Sequence, residues 1–203
     1  MKVEEARIAA HVCADGWLSI YLDKNALQIV HGRRYHRPRR RYVIGYSNTD
    51  LGLLKEFKKD VKKIYGIKAL SGHKSDLRAR SKRVFKRLET LGAGSSYQWF
   101  IGKEILNSSK NVKRNWLRAF FDDEATVAIK EKRIRVKSMN GKGLKQVKSL
   151  LKTFLIKSKI TGPNSDNSWY LTINYLAVKK FYLSIGLKQK KRLQSLRHLV
   201  KLL

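Results

Sequence analysis

Ile8-Ala9-Ala10-His11-Val12-Cys13-Ala14-Asp15-Gly16 and Leu117-Arg118-Ala119-Phe120-Phe121-Asp122-Asp123-Glu124-Ala125 are the two stretches that decide how this chain is read. Each is a run of small and apolar residues that reads as the end of a helix. Each closes on an acid and gives way at once to a strand pattern. The two acids, Asp15 and Glu124, stand 109 positions apart (124 minus 15) in a chain of 203 residues. A pattern that recurs after half a chain points to a duplicated unit, and duplication with fusion is how an ancestral homodimer becomes one polypeptide.

The flanks of the two stretches match. After Asp15, Leu18, Ile20 and Leu22 alternate with Trp17, Ser19, Tyr21 and Asp23, and residues 39–47 (RRRYVIGYS) continue as a second β-prone run. After Glu124, Val127 and Ile129 alternate with Thr126, Ala128 and Lys130, and Arg133-Ile134-Arg135-Val136-Lys137 then alternates strictly. Side chains on a strand point to opposite faces in turn, so these runs predict a sheet with one apolar and one basic face. Residues 50–65 follow as an amphipathic helix, with Asp50 as N-cap, Leu51, Leu54, Phe57, Val61 and Ile64 on one side and Gly66 as its stop. Residues 143–155 give the matching stripe of Leu144, Val147, Leu151 and Phe154. Alternation returns at Ile156, Ser158 and Ile160 and at Trp169, Leu171 and Ile173, and the closing helix 82–92 (KRVFKRLETLG) resembles 176–186 (LAVKKFYLSIG). The reading is an α+β chain of two repeats, each a helix ending in an acid, two strands, a basic amphipathic helix, one or two further strands and a closing helix. Residues 1–92 form the first repeat, and 93–110 form a linker entered through the small, polar GAGSS at 92–96. Residues 111–203 form the second repeat, ending in a closing helix within 188–203.

Composition narrows the function classes. Lys and Arg total 46 against 15 Asp and Glu, a formal charge of +31, while 42% of residues are hydrophobic, enough for a core. Self-repulsion of this size is relieved by a polyanion. No apolar run approaches the roughly 18 residues of a membrane span, and MKVEEARIAA has no signal-peptide core. A single cysteine, Cys13, excludes an internal disulfide. The five histidines show no ligand spacing, so a structural zinc site is not expected. These features predict a monomer in the reducing cytoplasm.

The two nonamers resemble the paired signature motifs of LAGLIDADG homing endonucleases, in the single-chain, two-motif branch, similar to archaeal intron-encoded members. The resemblance covers nearly the whole chain, because the αββαββα order appears in both halves. It implies a site-specific, metal-dependent endodeoxyribonuclease that makes a double-strand break in a long, non-palindromic DNA target and leaves short 3′ overhangs. Asp15 and Glu124 are then the catalytic metal ligands, with Mg²⁺ as the expected ion and Mn²⁺ or Ca²⁺ as substitutes. Physically, two carboxylates at adjoining helix C-termini repel each other and the helix dipoles, and an oxygen-ligated divalent cation resolves the conflict. The resemblance also implies basic or polar groups around each metal. Lys82 matches such a position as a catalytic residue, with Asn48, Asn140 and Asn174 as supporting polar groups. The sequence departs from the family pattern at Cys13, where the first Asp is usual, and at Asp123, where a small residue is preferred at the helix interface.

Arg33, Arg34, Arg37, Arg39, Arg41, Lys130, Arg133, Arg135 and Lys137 are the expected DNA-binding residues, with Tyr46, Ser19 and Tyr21 as weaker contacts. Two alternatives share this fold: an intron maturase bound to host intron RNA, and a DNA-binding regulator that does not cut. The retained pair of acids favours the nuclease.

Overall fold

Strand β1 (Gly16–Val30) and strand β2 (Arg33–Ser47) form the longest antiparallel pairing in the chain. His31 and Gly32 join them with φ of 47° and 76°, the left-handed geometry that a two-residue hairpin turn demands. Partway along, β1 carries one extra residue where Asp23–Ala26 faces Arg37–Arg39, a bulge opposite Pro38, which has no N–H for the ladder. The alternation at 18–22 and at 39–47 gave the base of this hairpin. Its outer half is longer than the expected strands, and the His31-Gly32 turn marks its tip.

The computed structural model describes residues 1–71 and 75–203. Helix α1 (Val3–Cys13) precedes the hairpin and α2 (Leu51–Tyr65) follows it. Asp50 caps α2 by accepting from Gly52 N and Leu53 N, and Gly66 ends it at φ 66°. Strands β3 (Leu70–Ser71) and β4 (Asp76–Arg80) and helix α3 (Lys82–Thr90) complete an αββαββα unit with strand order β1-β2-β4-β3. Four-residue α4 (Lys103–Leu106) lies in the connection, whose Leu91, Trp99, Ile101 and Ile105 are buried. The second unit runs α5 (Lys110–Glu124), β5 (Ala125–Ala128), β6 (Arg133–Ser138), α6 (Gly141–Lys152), β7 (Lys159–Thr161), β8 (Trp169–Asn174) and α7 (Tyr175–Ser184), with order β5-β6-β8-β7. A last helix, α8 (Lys190–Lys201), packs on α7 and β5. The fold is therefore α+β with two αββαββα repeats and antiparallel sheets. Two local differences stand out. Residues 156–158 lie outside any strand, because Leu155 turns the chain at φ 59° before β7 begins. Lys130 sits in the β5–β6 turn and not on a strand.

Among the helices, α1 makes its most extensive contact with α5. Ala6, Ala9 and Ala10 on one and Ala119 on the other are all buried, so little side-chain bulk separates the backbones. This seam joins the two repeats into one core. Ala10→Leu inserts three carbons where no space is left, and overpacking of that kind costs about 1–3 kcal/mol. The expected result is a lower urea midpoint with an unchanged m-value.

Candidate active site

The seam delivers both motif acids to the same end of the helix pair. Asp15 follows α1 directly and Glu124 is the last residue of α5. Asp15 lies at a recess of about 390 Å³ lined also by Ser47, Asn48, Thr49, Ser75, Gln189 and Arg192. Crowding by surrounding protein and the nearby charge of Asp123 push the Asp15 pKa up to about 6. Burial, then the charges of Asp15 and Asp123, push Glu124 up to about 7. The two carboxylates thus feel each other, at helix ends whose dipoles also oppose negative charge.

Asp123 is built into the seam, neither solvated nor forcing the helices apart. Its side chain is buried, accepts from Tyr46 Oη at 2.7 Å and lies 2.7 Å from His11 Nδ1. Burial alone would lower the His11 pKa, but the charge and hydrogen bond of Asp123 outweigh it and the pKa is raised. His11 and Asp123 thus share a buried hydrogen bond across the two repeats, strengthened by the carboxylate. Asn48 Nδ2 donates both to Asp123 Oδ1 at 3.1 Å and to Asp15 Oδ2 at 3.0 Å. This amide links the buried pair to the exposed carboxylate and fixes its orientation.

The residues at the first-Asp position of each motif diverge in role. Cys13 Sγ donates to Gly92 O at 3.6 Å, and burial lifts its thiol pKa beyond the usual range, so it stays protonated. Asp122 Oδ1 accepts from Lys188 N at 2.7 Å and Gln189 N at 2.9 Å, capping the chain as it enters α8. Arg192 returns the contact: Nη1 donates to Asp122 O, and Nη2 donates to Asp123 O at 2.7 Å.

The remaining expected residues separate into two groups. Asn48 joins the acids. Lys82 is not among the residues lining the recess; it begins α3 with its ammonium 5.7 Å from the centre of the Tyr42 ring. Asn140 is buried, where it caps α6 through Gly143 N and donates to Trp99 O at 2.5 Å. Asn174 ends β8 on the sheet face of Arg133, to which it pairs.

Residues paired across strands share a face, so the register sorts the cations. Arg33, Arg37, Arg39, Arg41, Arg78 and Arg80 lie on the outer face of the first sheet, opposite to the side holding Ile44, Tyr46, Leu77 and Ala79. Ser19 and Tyr21 share that outer face. Arg34, paired with Ile29, falls on the opposite face, so the expected row of outward arginines loses this member. Tyr46 is likewise removed from the expected outward contacts: it is fully buried, and its hydroxyl serves Asp123. In the second sheet, Arg133, Arg135, Lys137 and Lys159 share a face with Tyr170 and Thr172. Arg135 lies 5.1 Å over Tyr170, and Arg78 lies 6.0 Å over Trp17.

With this geometry in place, known proteins give the context. A family described as "LAGLIDADG-like domain" matches residues 111–186. The match lies within the second repeat and spans less than half of the chain. No match was found among curated protein sequences. Among solved structures, the homing endonuclease I-DmoI, in mesophilic variants, superposes with a TM-score of 0.67 at 17% identity, covering 91% of this chain and 95% of that one. I-SmaMI, a LAGLIDADG homing endonuclease bound to cleaved DNA, gives 0.58 at 12% identity over 97% and 87%. Full-length DUF199/WhiA from Thermatoga maritima gives 0.55 at 14% identity, covering 98% of this chain and 60% of that chain. The whole chain therefore has the two-repeat LAGLIDADG fold, and the motif acids lie at the junction of its repeats.

Arg192 and the roles of His11 and Tyr46 were missed in the sequence. The signal for the pair was an acid at a small-residue position of one motif and a base at an apolar position of the other. For Arg192 no such signal exists, because it is one cation among several in 188–203. Two outcomes are expected here. Asp123→Ala leaves His11 and Tyr46 buried without their acceptor and destabilises by about 3–5 kcal/mol in urea unfolding. The apolar pair His11→Leu with Asp123→Leu restores the part due to His11, while the buried Tyr46 hydroxyl still lacks its acceptor.

The raised Asp15 and Glu124 pKa values also fix a pH dependence. Because protonation favours the folded state at groups with raised pKa, their contribution to stability is present at low pH and declines as pH rises towards about 7. Binding of a divalent cation by two carboxylates requires them deprotonated. The rise in Tm caused by Ca²⁺ is therefore small near pH 5.5 and grows to a plateau near pH 8, as followed by calorimetry at both pH values.

Proposed function

We propose that the chain is a homing endonuclease that cuts both strands of a long, asymmetric DNA site with a divalent metal. The observation that carries this reading is the convergence of Asp15 and Glu124 at one end of the repeat seam. The basic faces of the two sheets, Arg33, Arg37, Arg39 and Arg41 on one and Arg133, Arg135 and Lys137 on the other, supply a cationic surface that suits a polyanion. Similarity to I-DmoI solved with DNA and Mn adds support, since that protein binds both.

The residues fit a divalent cation shared with the substrate. Among the described residues, no cluster of three or more His, Cys, Asp or Glu side chains is arranged to hold a metal by itself. Two carboxylates whose pKa values are raised partly by neighbouring acid charges form an electrostatic vacancy for a cation. Mg²⁺ is commonly bound by one or two carboxylates, with phosphate oxygens and water completing six positions. Asp15 and Glu124 would hold it, and when bound it supplies Lewis acidity and an activated water. Asn48 holds the Asp15 carboxylate in place, and the arginines of the sheet faces position the duplex through phosphates and base edges. The sheets differ in reach. The β1 and β2 strands have 15 residues each, whereas β5 and β6 have 4 and 6, so the two half-sites would be contacted unequally. Among the described residues no helix is long and apolar enough to cross a membrane.

The test is cleavage of a plasmid carrying the uninterrupted junction that flanks the gene, with Mg²⁺. Wild type is expected to linearise it. Asp15→Asn and Glu124→Gln each reduce the rate by at least about a thousandfold while Ca²⁺-supported binding persists. Specific binding with no cut by wild type would reject the nuclease and favour a non-cutting DNA-binding protein of this fold.

A further inference from the structure

Among the described residues that line the recess beside Asp15, Arg192 is the one cation, and it comes from outside both αββαββα units. We propose that Arg192 is a catalytic residue of this centre: a guanidinium, presented by α8, that binds the non-bridging oxygens of the phosphate being cut. The proposal rests on the nuclease reading and adds to it a group that neither motif supplies.

Arg192 is fixed at both ends. Its backbone N donates to Gln189 Oε1 at 2.7 Å, at the start of α8, where Asp122 holds the preceding amides. Its side chain donates to the carbonyls of Asp122 and Asp123, the two residues before Glu124. A guanidinium carries five N–H groups in a rigid plane, and two carbonyl contacts leave donors for the recess. That planar fork matches two phosphate oxygens, whereas a lysine presents a single point charge. It lines the recess together with Asp15 and is tied to the two residues that precede Glu124, and its positive charge acts against the burial that raises both acids.

A role confined to capping the carbonyl end of α5 accounts for the two backbone contacts. It gives no reason for the cap to be a group that also lines the recess beside Asp15. Lys82, the other cation considered for this task, is engaged with Tyr42. In the reaction, a water oxygen bonds to phosphorus and passes its proton to solvent. The bond from phosphorus to one deoxyribose oxygen breaks, and that oxygen takes a proton from water. Charge accumulates on the non-bridging oxygens meanwhile, and a preorganised guanidinium stabilises it.

The same placement gives Arg192 an opposing effect on the ion itself. Its charge lies beside the two carboxylates and competes with any cation they bind. Removing it therefore tightens metal binding while it slows cutting, two changes in opposite directions that a loss of structure does not produce.

The experiment uses the full chain as wild type, Arg192→Met and Arg192→Lys. Tyrosine-sensitised Tb³⁺ luminescence reads ion affinity without DNA, single-turnover cleavage reads the reaction, and thermal melting reads the fold. Arg192→Met is expected to bind Tb³⁺ about three- to tenfold more tightly and to cut about a hundredfold more slowly, with Arg192→Lys between it and wild type. Cleavage by Arg192→Met within twofold of wild type would overturn the role, as would weaker Tb³⁺ binding accompanied by a lower Tm. Absence of cutting by the wild type overturns the nuclease reading and this role with it. Retained cutting in Arg192→Met overturns this role alone.

Discussion

The buried hydrogen bond between His11 and Asp123 is the constraint on which the centre of the molecule depends. A charge buried without a partner costs several kcal/mol, so neither residue is tolerable alone at the helix seam. Each comes from a different repeat, and the pair therefore specifies how the halves face each other. Tyr46 and Asn48 complete the set from the end of β2 and the turn that follows it. What the small-residue seam gives in close approach, this polar set gives in register. Around it, Arg7 binds Asp60 through two 2.8 Å contacts and reaches Asn115, so a second tie, an ionic one, joins α1, α2 and α5 farther along the helices.

The architecture was legible because duplication repeats its own evidence. Period-2 runs after Asp15 and Glu124, two amphipathic helices and two related closing helices gave the αββαββα order twice. Arg133 to Lys137 fall on their strand in the expected alternation, with Ile134 and Val136 fully buried. The outer hairpin was harder to see. Its Leu22, Leu27 and Ile29 are exposed, so no burial requirement imposes a pattern, and the bulge at Asp23–Ala26 shifts the alternation by one residue. Arg34 was placed outward because outwardness in a strand depends on register, and sequence shows spacing without register.

The site was legible to the extent that it follows from helix ends. Asp15 and Glu124 stand where two matched motifs stop, and that needs no tertiary information. The polar groups beside them depend on which loops and helices pack near the seam. Asn48 is 33 positions from Asp15, and Arg192 is 69 positions from Asp123. Asn140 shows the opposite case. It resembles a supporting group by position, yet its amide is consumed in holding Trp99 and starting α6.

The distances along the chain that these contacts bridge have a further meaning for how the molecule forms. His11 and Asp123 are 112 positions apart, Tyr46 and Asp123 are 77 apart, and Lys188 and Glu56 are 132 apart. Each hairpin and its neighbouring helix close through short loops, whereas the seam requires ends of long loops to meet, with the entropy of closure paid before the contact rewards it. The acid pair is thus placed where the fold closes its longest loops. A chain that has built its sheets but not its seam has its basic faces and no paired carboxylates, so the charged surface precedes the acid pair in assembly.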